Sequence, residues 1–395
     1  MAKGVSMTEQ QSPQSGFFQM SLATLQRIAR LDGGYNDMAA YLVLCSGVNG
    51  RQADRYCTHG ANSISKRSGM SHRAAEKALA WLQINGFIRK PAEHEPQFLG
   101  TRQSQSTTVR WVIMDLNDLD VAICRQFIDG HEGPRKRSPL KRLLEEIDNA
   151  GAIPRARAVM DSIVLFAALM KEQDFGDCGG VDPTAWHQKF VPIDPDEDGY
   201  GTEHKVPVPA TNGVLVTVKE DQNSAILDFV FNAFGENPAD DNQRKQLAAR
   251  FWHAIQQLRQ LHLLYRVLVL WDGNPLDPKK RRQCEPIATH YINDSWARQI
   301  DPHLQTEVNR VTWRTLMRDS YEDFTSDTVD EGSPSFVNSG RYRYIVVATA
   351  VDAVSLIGQL RVRYWPANES TVLGREKEQK RTGSYLQSIQ HLGRR

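Results

Sequence analysis

Excess charge is what this sequence most clearly lacks. Its 48 Lys and Arg against 47 Asp and Glu leave a net charge of +1 over 395 residues. No whole-molecule field draws it to nucleic acid, so any such attraction has to be local. Cysteine is scarce and unpatterned. Cys45, Cys57, Cys124, Cys178 and Cys284 include no Cys-x-x-Cys pair, which argues against a disulfide framework and fits a reducing cytoplasm. Long apolar runs are missing too: "SIVLFAALM" is about half of a membrane span. There is no GxxxxGK[ST] phosphate loop, no paired-histidine metal motif and no GxSxG elbow, which removes the enzymes that short motifs announce. "DPDEDG", from Asp194, opens like a calcium loop. It then has Lys205 where the bidentate Glu belongs, and Pro192 where a helix should run. Cys57 and His59 with Cys45, and Cys178 with His187, lack zinc-site spacing. The expectation is a soluble cytoplasmic protein that is not an enzyme, with no metal, no cofactor and no membrane partner.

The chain is long enough for two or three domains. Residues 1–18 read as a disordered tail. Apolar residues then take helical spacing in "SLATLQRIARL" and in "NDMAAYLVLCSGV", where Asn36 or Asp37 is the expected N-cap. A short helix "NSISKRS" follows, then Gly69, then a helix from Ser71 that stops at Asn85-Gly86. "FIRK" and "VRWVIM" read as strands flanking a polar loop. The first domain therefore spans 19–132, and the Pro- and cation-rich stretch 133–153 reads as a basic linker.

Within the first domain, Ile64, Met70, Ala75, Leu79 and Leu82 fall on one inward face. Ser71, His72, Arg73, Glu76, Lys77 and Ala80 fall on the outward one. From 51 to 90 there are eight basic and two acidic residues, a local net of +6. Ser71 suits a helix cap that can also meet a phosphate. Arg73 suits a bidentate contact to guanine. Lys66, Arg67, His72 and Lys77, with Arg102 in the loop, complete the expected DNA-contacting set. The run "ISKRSGMSHRAAEKALAWLQINGFIRK" resembles the winged helix-turn-helix DNA-binding family in its Gly-apolar-Ser turn, its recognition-helix spacing and the "GFI" leading to the wing. The resemblance covers about residues 36–114 and implies a helix laid in the major groove of duplex DNA.

Residues 154–295 repeat that order of elements: "LAARFWHAIQQLRQLHLLYRV" lies on "AEKALAWLQINGFIRK" by pattern. They read as a second, divergent winged-helix-like domain with an insertion. Arg244 and Lys245 on its long helix, and Lys279, Lys280, Arg281 and Arg282 at a wing-tip position, are its candidate DNA contacts. Residues 296–372 read as a C-terminal α/β module and 373–395 as a charged tail. The predicted fold class is thus α+β, mainly helical, with tandem winged helix-turn-helix units plus that module. Such tandem units resemble replication initiators and regulators of plasmids and integrative elements. This resemblance implies sequence-specific duplex DNA binding that controls replication initiation or transcription of a bacterial mobile element. Homodimerisation and contact with replication or transcription machinery go with it. The alternative is a winged-helix adaptor that binds proteins and does not read DNA.

Overall fold

The computed structural model describes residues 16–31, 33–48, 55–99, 107–115, 119–130, 137–147, 153–173, 180–181, 190–192, 205–207, 214–220, 227–272, 284–291, 344–346, 354–362 and 369–392. Among them are ten helices and fourteen strands, an α+β chain. Expected features at Arg102, at Asp194 and at Lys279–Arg282 lie outside the described residues. The chain divides into two units. Unit one is Met1–Lys171 with Ala249–Leu261 and Tyr364–Asn368, and unit two is Glu172–Ala248, His262–Arg363 and Glu369–Arg395.

Unit one begins with β1 (Phe17–Met20), α1 (Leu22–Arg30) and α2 (Tyr35–Ser46). Phe17 and Phe18, expected in the tail, are in β1. Alternation buries Phe18 and Met20 against β7 (Val121–Cys124), and a period of two is a strand's signature. Next come β2 (Tyr56–Cys57), α3 (Ala61–Ser68), α4 (His72–Ile84), β3 (Ile88–Arg89), the short antiparallel pair β4 (Phe98–Leu99) and β5 (Thr107–Thr108), and β6 (Trp111–Ile113). A three-stranded antiparallel sheet forms in the order β2-β6-β3. Every residue of α2 from Met38 to Ser46 is buried, which makes it the hub on which β1, α1, α3 and α4 pack. The helix starts at Tyr35, ahead of both expected caps. Asp37 still serves as a cap, but from the third helical position: its Oδ2 accepts from the Gly34 N–H at 2.6 Å.

The expected linker is partly a helix. Ser138 caps α6 (Pro139–Glu146), with Pro139 in the first turn, and Leu140, Leu143, Leu144 and Ile147 are buried. Its Ser138-Pro139 start looks like a linker because Pro is common both in the first turn of helices and in loops. A short α5 (Gln126–Asp129) precedes it. The apolar helix α7 (Arg155–Lys171) falls by sequence in the second domain, but it belongs to unit one. It is buried continuously from Ala158 to Met170, and a helix apolar all round needs neighbours on every side. β7, α1, α2 and α6 supply them, with Phe166 stacked on Phe127 at 4.4 Å.

Unit two is built on one antiparallel sheet of seven strands. They are β8 (Phe190–Pro192), β9 (Lys205–Pro207), β10 (Val214–Glu220), β11 (Leu264–Asp272), β12 (Glu285–Tyr291), β13 (Tyr344–Val346) and β14 (Val354–Val362). Their order is β12-β11-β14-β13-β10-β8, with β9 also on β10. Two helices precede β11: α8 (Leu227–Phe234) and α9 (Asp241–Gln260), whose residues from Ala249 onward count with unit one. On α9, Leu247, Phe251, Ile255 and Leu258, with Leu261 just beyond, form a buried face at helical spacing.

This sheet changes the expected domain plan. By sequence β14 falls in a separate C-terminal module, yet it pairs with β11 over the full run from Leu264↔Val362 to Asp272↔Val354. A strand between β11 and β13 cannot be cut from the sheet without exposing two rows of backbone donors and acceptors. The expected charged tail is also wrong. It forms α10 (Glu369–Leu392), which packs on β12. Thr371, Gly374, Glu378, Thr382 and Tyr385 face inward at helical spacing. Mostly small and polar, they carry no hydrophobic periodicity. The inward charge of Glu378 is met by buried Arg361 through Nη1 (3.1 Å) and Nη2 (2.5 Å). Thr382 Oγ1 accepts from the Thr289 N–H.

Candidate nucleic-acid interface

α3 ends as the sequence demands. Gly69 takes a left-handed φ of 83° and its N–H donates to Ser65 O at 2.9 Å. Ser65 Oγ donates to Met70 O, and the Met70 N–H donates to Ser68 Oγ, so side-chain hydroxyls pin both sides of the turn. A Cβ at Gly69 would stand 3.0 Å from Glu145 Oε1, because α6 lies against this turn. Ser71 then caps α4, accepting from the Ala74 N–H at 3.2 Å.

The two faces of α4 separate cleanly. Ala75, Ala78, Leu79 and Leu82 are buried with Ile64. Met70, expected inside, is half-buried. Ser71, His72, Arg73, Glu76, Lys77 and Ala80 are exposed. At the far end the chain turns through Gly86 (φ 75°), Trp81 stacks on Phe87 at 5.7 Å, and the Arg27 guanidinium lies over Phe87.

The local positive charge is smaller than the count over 51–90 indicates, because acids from outside that window fold onto it. Asp115 holds Arg55 at 2.6 Å, Asp129 holds Arg67 at 2.7 Å, and Glu95 clamps Arg89 through both guanidinium nitrogens. Arg67, a candidate contact, is therefore engaged at its Nε. Glu95 is pulled down to about 2, first by the Arg89 hydrogen bond and then by the Ala92 N–H. Among the described residues Lys66, Arg73, Lys77 and Lys90 form no ion pair. His72 has only a loose partner, Glu76, at 3.6 Å. Asp129 and Glu145 were not visible as site residues from sequence: they lie 60 or more positions away, and no local pattern links them to the turn.

The exposed edge of the sheet carries two cations that sequence alone does not single out as contacts. Lys90 Nζ stands 3.7 Å above the Trp111 ring, and the Arg110 side chain lies along Gly60, 3.1 to 3.4 Å from where a Cβ would be. Arg110 falls outside the charge window. Its position beside α3 comes from strand pairing.

Beneath the interface is a buried polar knot. Tyr41 Oη donates to Asp115 Oδ1, while Arg55 donates from Nε to Asp115 Oδ2, from Nη1 to Gln19 O and from Nη2 to Cys45 Sγ. Burial pushes the Cys45 and Cys57 thiols up to about 12, so both stay protonated and are poor nucleophiles. His59, with Nδ1 3.0 Å from Val43 O, is held below the ordinary histidine value, chiefly by burial. Among the described residues no three His, Cys, Asp or Glu side chains gather as a metal site requires.

The unit-two candidates are placed differently. Arg244 stands 3.7 Å from Asp241, at a helix start where Asp240 Oδ1 accepts from the Gln243 N–H, and Lys245 is exposed beside them. Further along α9 and within unit one, Arg250 donates to both oxygens of buried Asp161 at 2.8 Å, a carboxylate it shares with Arg157.

Comparison with protein-family models, with curated proteins and with solved structures found no match. No helix among the described residues is long and apolar enough to cross a membrane.

Proposed function

We propose that this chain is a sequence-specific duplex DNA-binding protein in which unit one is a winged helix-turn-helix and α4 is its recognition helix. The observation that carries this reading is the start of α4. It follows immediately on a left-handed glycine turn, exposes Ser71, His72 and Arg73, and holds Arg73 and Lys77 without ion pairs among the described residues while its opposite face is buried. A helix read by the major groove needs that arrangement: one face fixed, the N-terminal turn wet and cationic. The order α2, β2, α3, α4, β3, β6 with sheet order β2-β6-β3 supports it, and β4 with β5 extends the β3–β6 hairpin where a wing would stand. The seven-stranded sheet of unit two adds no argument for a second winged helix, and the observations that support recognition lie in unit one. Control of replication initiation or of transcription in a mobile element remains the biological reading, resting on resemblance.

The test is anisotropy with a random-sequence duplex across a salt series, followed by selection from a randomised pool. Salt-dependent binding and an enriched sequence support the reading. Absence of both favours the adaptor, for which the exposed outer positions Ala80 and Ile84, the latter 83% exposed, are the specific observation.

A further inference from the structure

Adjacent cations on a protein surface repel unless an anion lies between them, and proteins usually supply that anion. Around the turn and sheet of unit one, Asp115 meets Arg55, Asp129 meets Arg67 and Glu95 meets Arg89. Among the described residues no acid does so at the corner where the end of β3 meets β6 and the start of α3. There, Lys90 is held over Trp111, Arg110 precedes that same tryptophan, and neither cation has an acidic partner among the described residues. Partial desolvation, and after it the Arg110 guanidinium, hold the Lys90 ammonium below the ordinary lysine range.

The corner is short of acceptors in two further ways. Trp111 is buried, only 7% exposed, yet its Nε1–H has no acceptor among the described residues. Gly60, the N-cap of α3, offers no side chain to the first-turn amides, and those amides have no intrahelical partner. The sequence from Pro96 to Met114 contains no Asp or Glu, so the acids of the β3–β6 hairpin are Glu93 and Glu95, just after β3. By contrast Arg89, one residue from Lys90, is clamped by Glu95. The chain neutralises one of two consecutive cations and leaves the other open.

We propose that Lys90 and Arg110, at the start of α3, form a binding corner for a backbone phosphate of duplex DNA, touched without regard to base and fixing the register of α4. This rests on the DNA-binding reading above and adds an anchor that the recognition helix does not provide. Phosphate contacts position a protein, whereas base contacts specify the sequence. Disabling the corner therefore weakens binding to all sequences alike.

The experiment uses the full chain with Lys90→Gln, Arg110→Gln and their double variant, against a random-sequence duplex in a chloride series. Neutralising each cation should flatten the plot of log affinity against log salt by about 0.9, with base preference in a pool selection unchanged. The charge-keeping pair Lys90→Arg with Arg110→Lys should restore the slope, which a merely structural role would not predict. If the unaltered chain shows salt-dependent binding and the double variant keeps its slope, the corner is overturned and the DNA reading stands. If the unaltered chain binds no duplex, both fall. Replacing chloride by inorganic phosphate at equal ionic strength should lower duplex affinity equally in the unaltered chain and the double variant. A larger drop in the unaltered chain would show a free-phosphate site and overturn the assignment to the DNA backbone.

Discussion

At the residue scale, function and stability fall on different side chains of the same helices. Arg73 is exposed on the first turn of α4 and takes no part in the core. We predict that Arg73→Ala costs about 1–3 kcal/mol of specific binding and relaxes one base position in a selection experiment, with no change in the melting curve. Asp115 is the opposite case. It accepts from both Tyr41 and Arg55, and its side chain and that of Arg55 are only 8% and 11% exposed. We expect Asp115→Leu to destabilise unit one by about 3–5 kcal/mol, read by urea denaturation, since it strands the guanidinium in a low-dielectric site. His59 gives a pH signature. Its folded-state pKa lies below the ordinary 6.5, so the unfolded chain binds the proton more readily. Its contribution is full above 6.5 and is lost as pH falls from there through the folded value. The urea midpoint of the unaltered chain should drop over that window more steeply than that of His59→Gln.

At the scale of elements, turns and caps are the most legible features. Gly69 and Ser71 announce a left-handed stop and a cap because both act on backbone groups within a few residues. We predict that Gly69→Ala costs about 1–2 kcal/mol through its positive φ, beyond any crowding by Glu145. Leu79→Ala should cost about 2–5 kcal/mol, since Leu79 is buried between α4 and its supports. A thermal melt that does not move would mean that α4 is not held by this face. Other elements are illegible because their residue pattern is uninformative. α10 buries Thr, Gly and Glu, which no hydrophobic period reveals, and α6 opens with residues equally common in linkers.

At the scale of the molecule, the charged C-terminal stretch departs furthest from expectation. Arg361 on β14 is fully buried, and its carboxylate partner, Glu378, is 17 residues further on. We expect Glu378→Ala to destabilise unit two by about 3–5 kcal/mol, because a buried charge loses its partner. A Glu378→Ala chain with an unchanged denaturation midpoint would mean that α10 is dispensable to the sheet. The same comparison separates an integral helix from a solvated tail.

Local chemistry, then, could be read from the chain alone: that α1, α2, α3 and α4 are helices, where α3 stops, which side of α4 is dry, and that Arg73 and Lys77 are wet. Those features depend on neighbours three or four residues away, and sequence records such neighbours directly. Only tertiary structure decided that Asp115 and Asp129 cancel part of the local charge, and that α7 joins the first unit. It alone placed β14 beside β11 and left Lys90 and Arg110 together without an acid. Each of these is a meeting of residues distant in the chain or set by strand pairing, and a charge acts through space on whatever the fold brings near it.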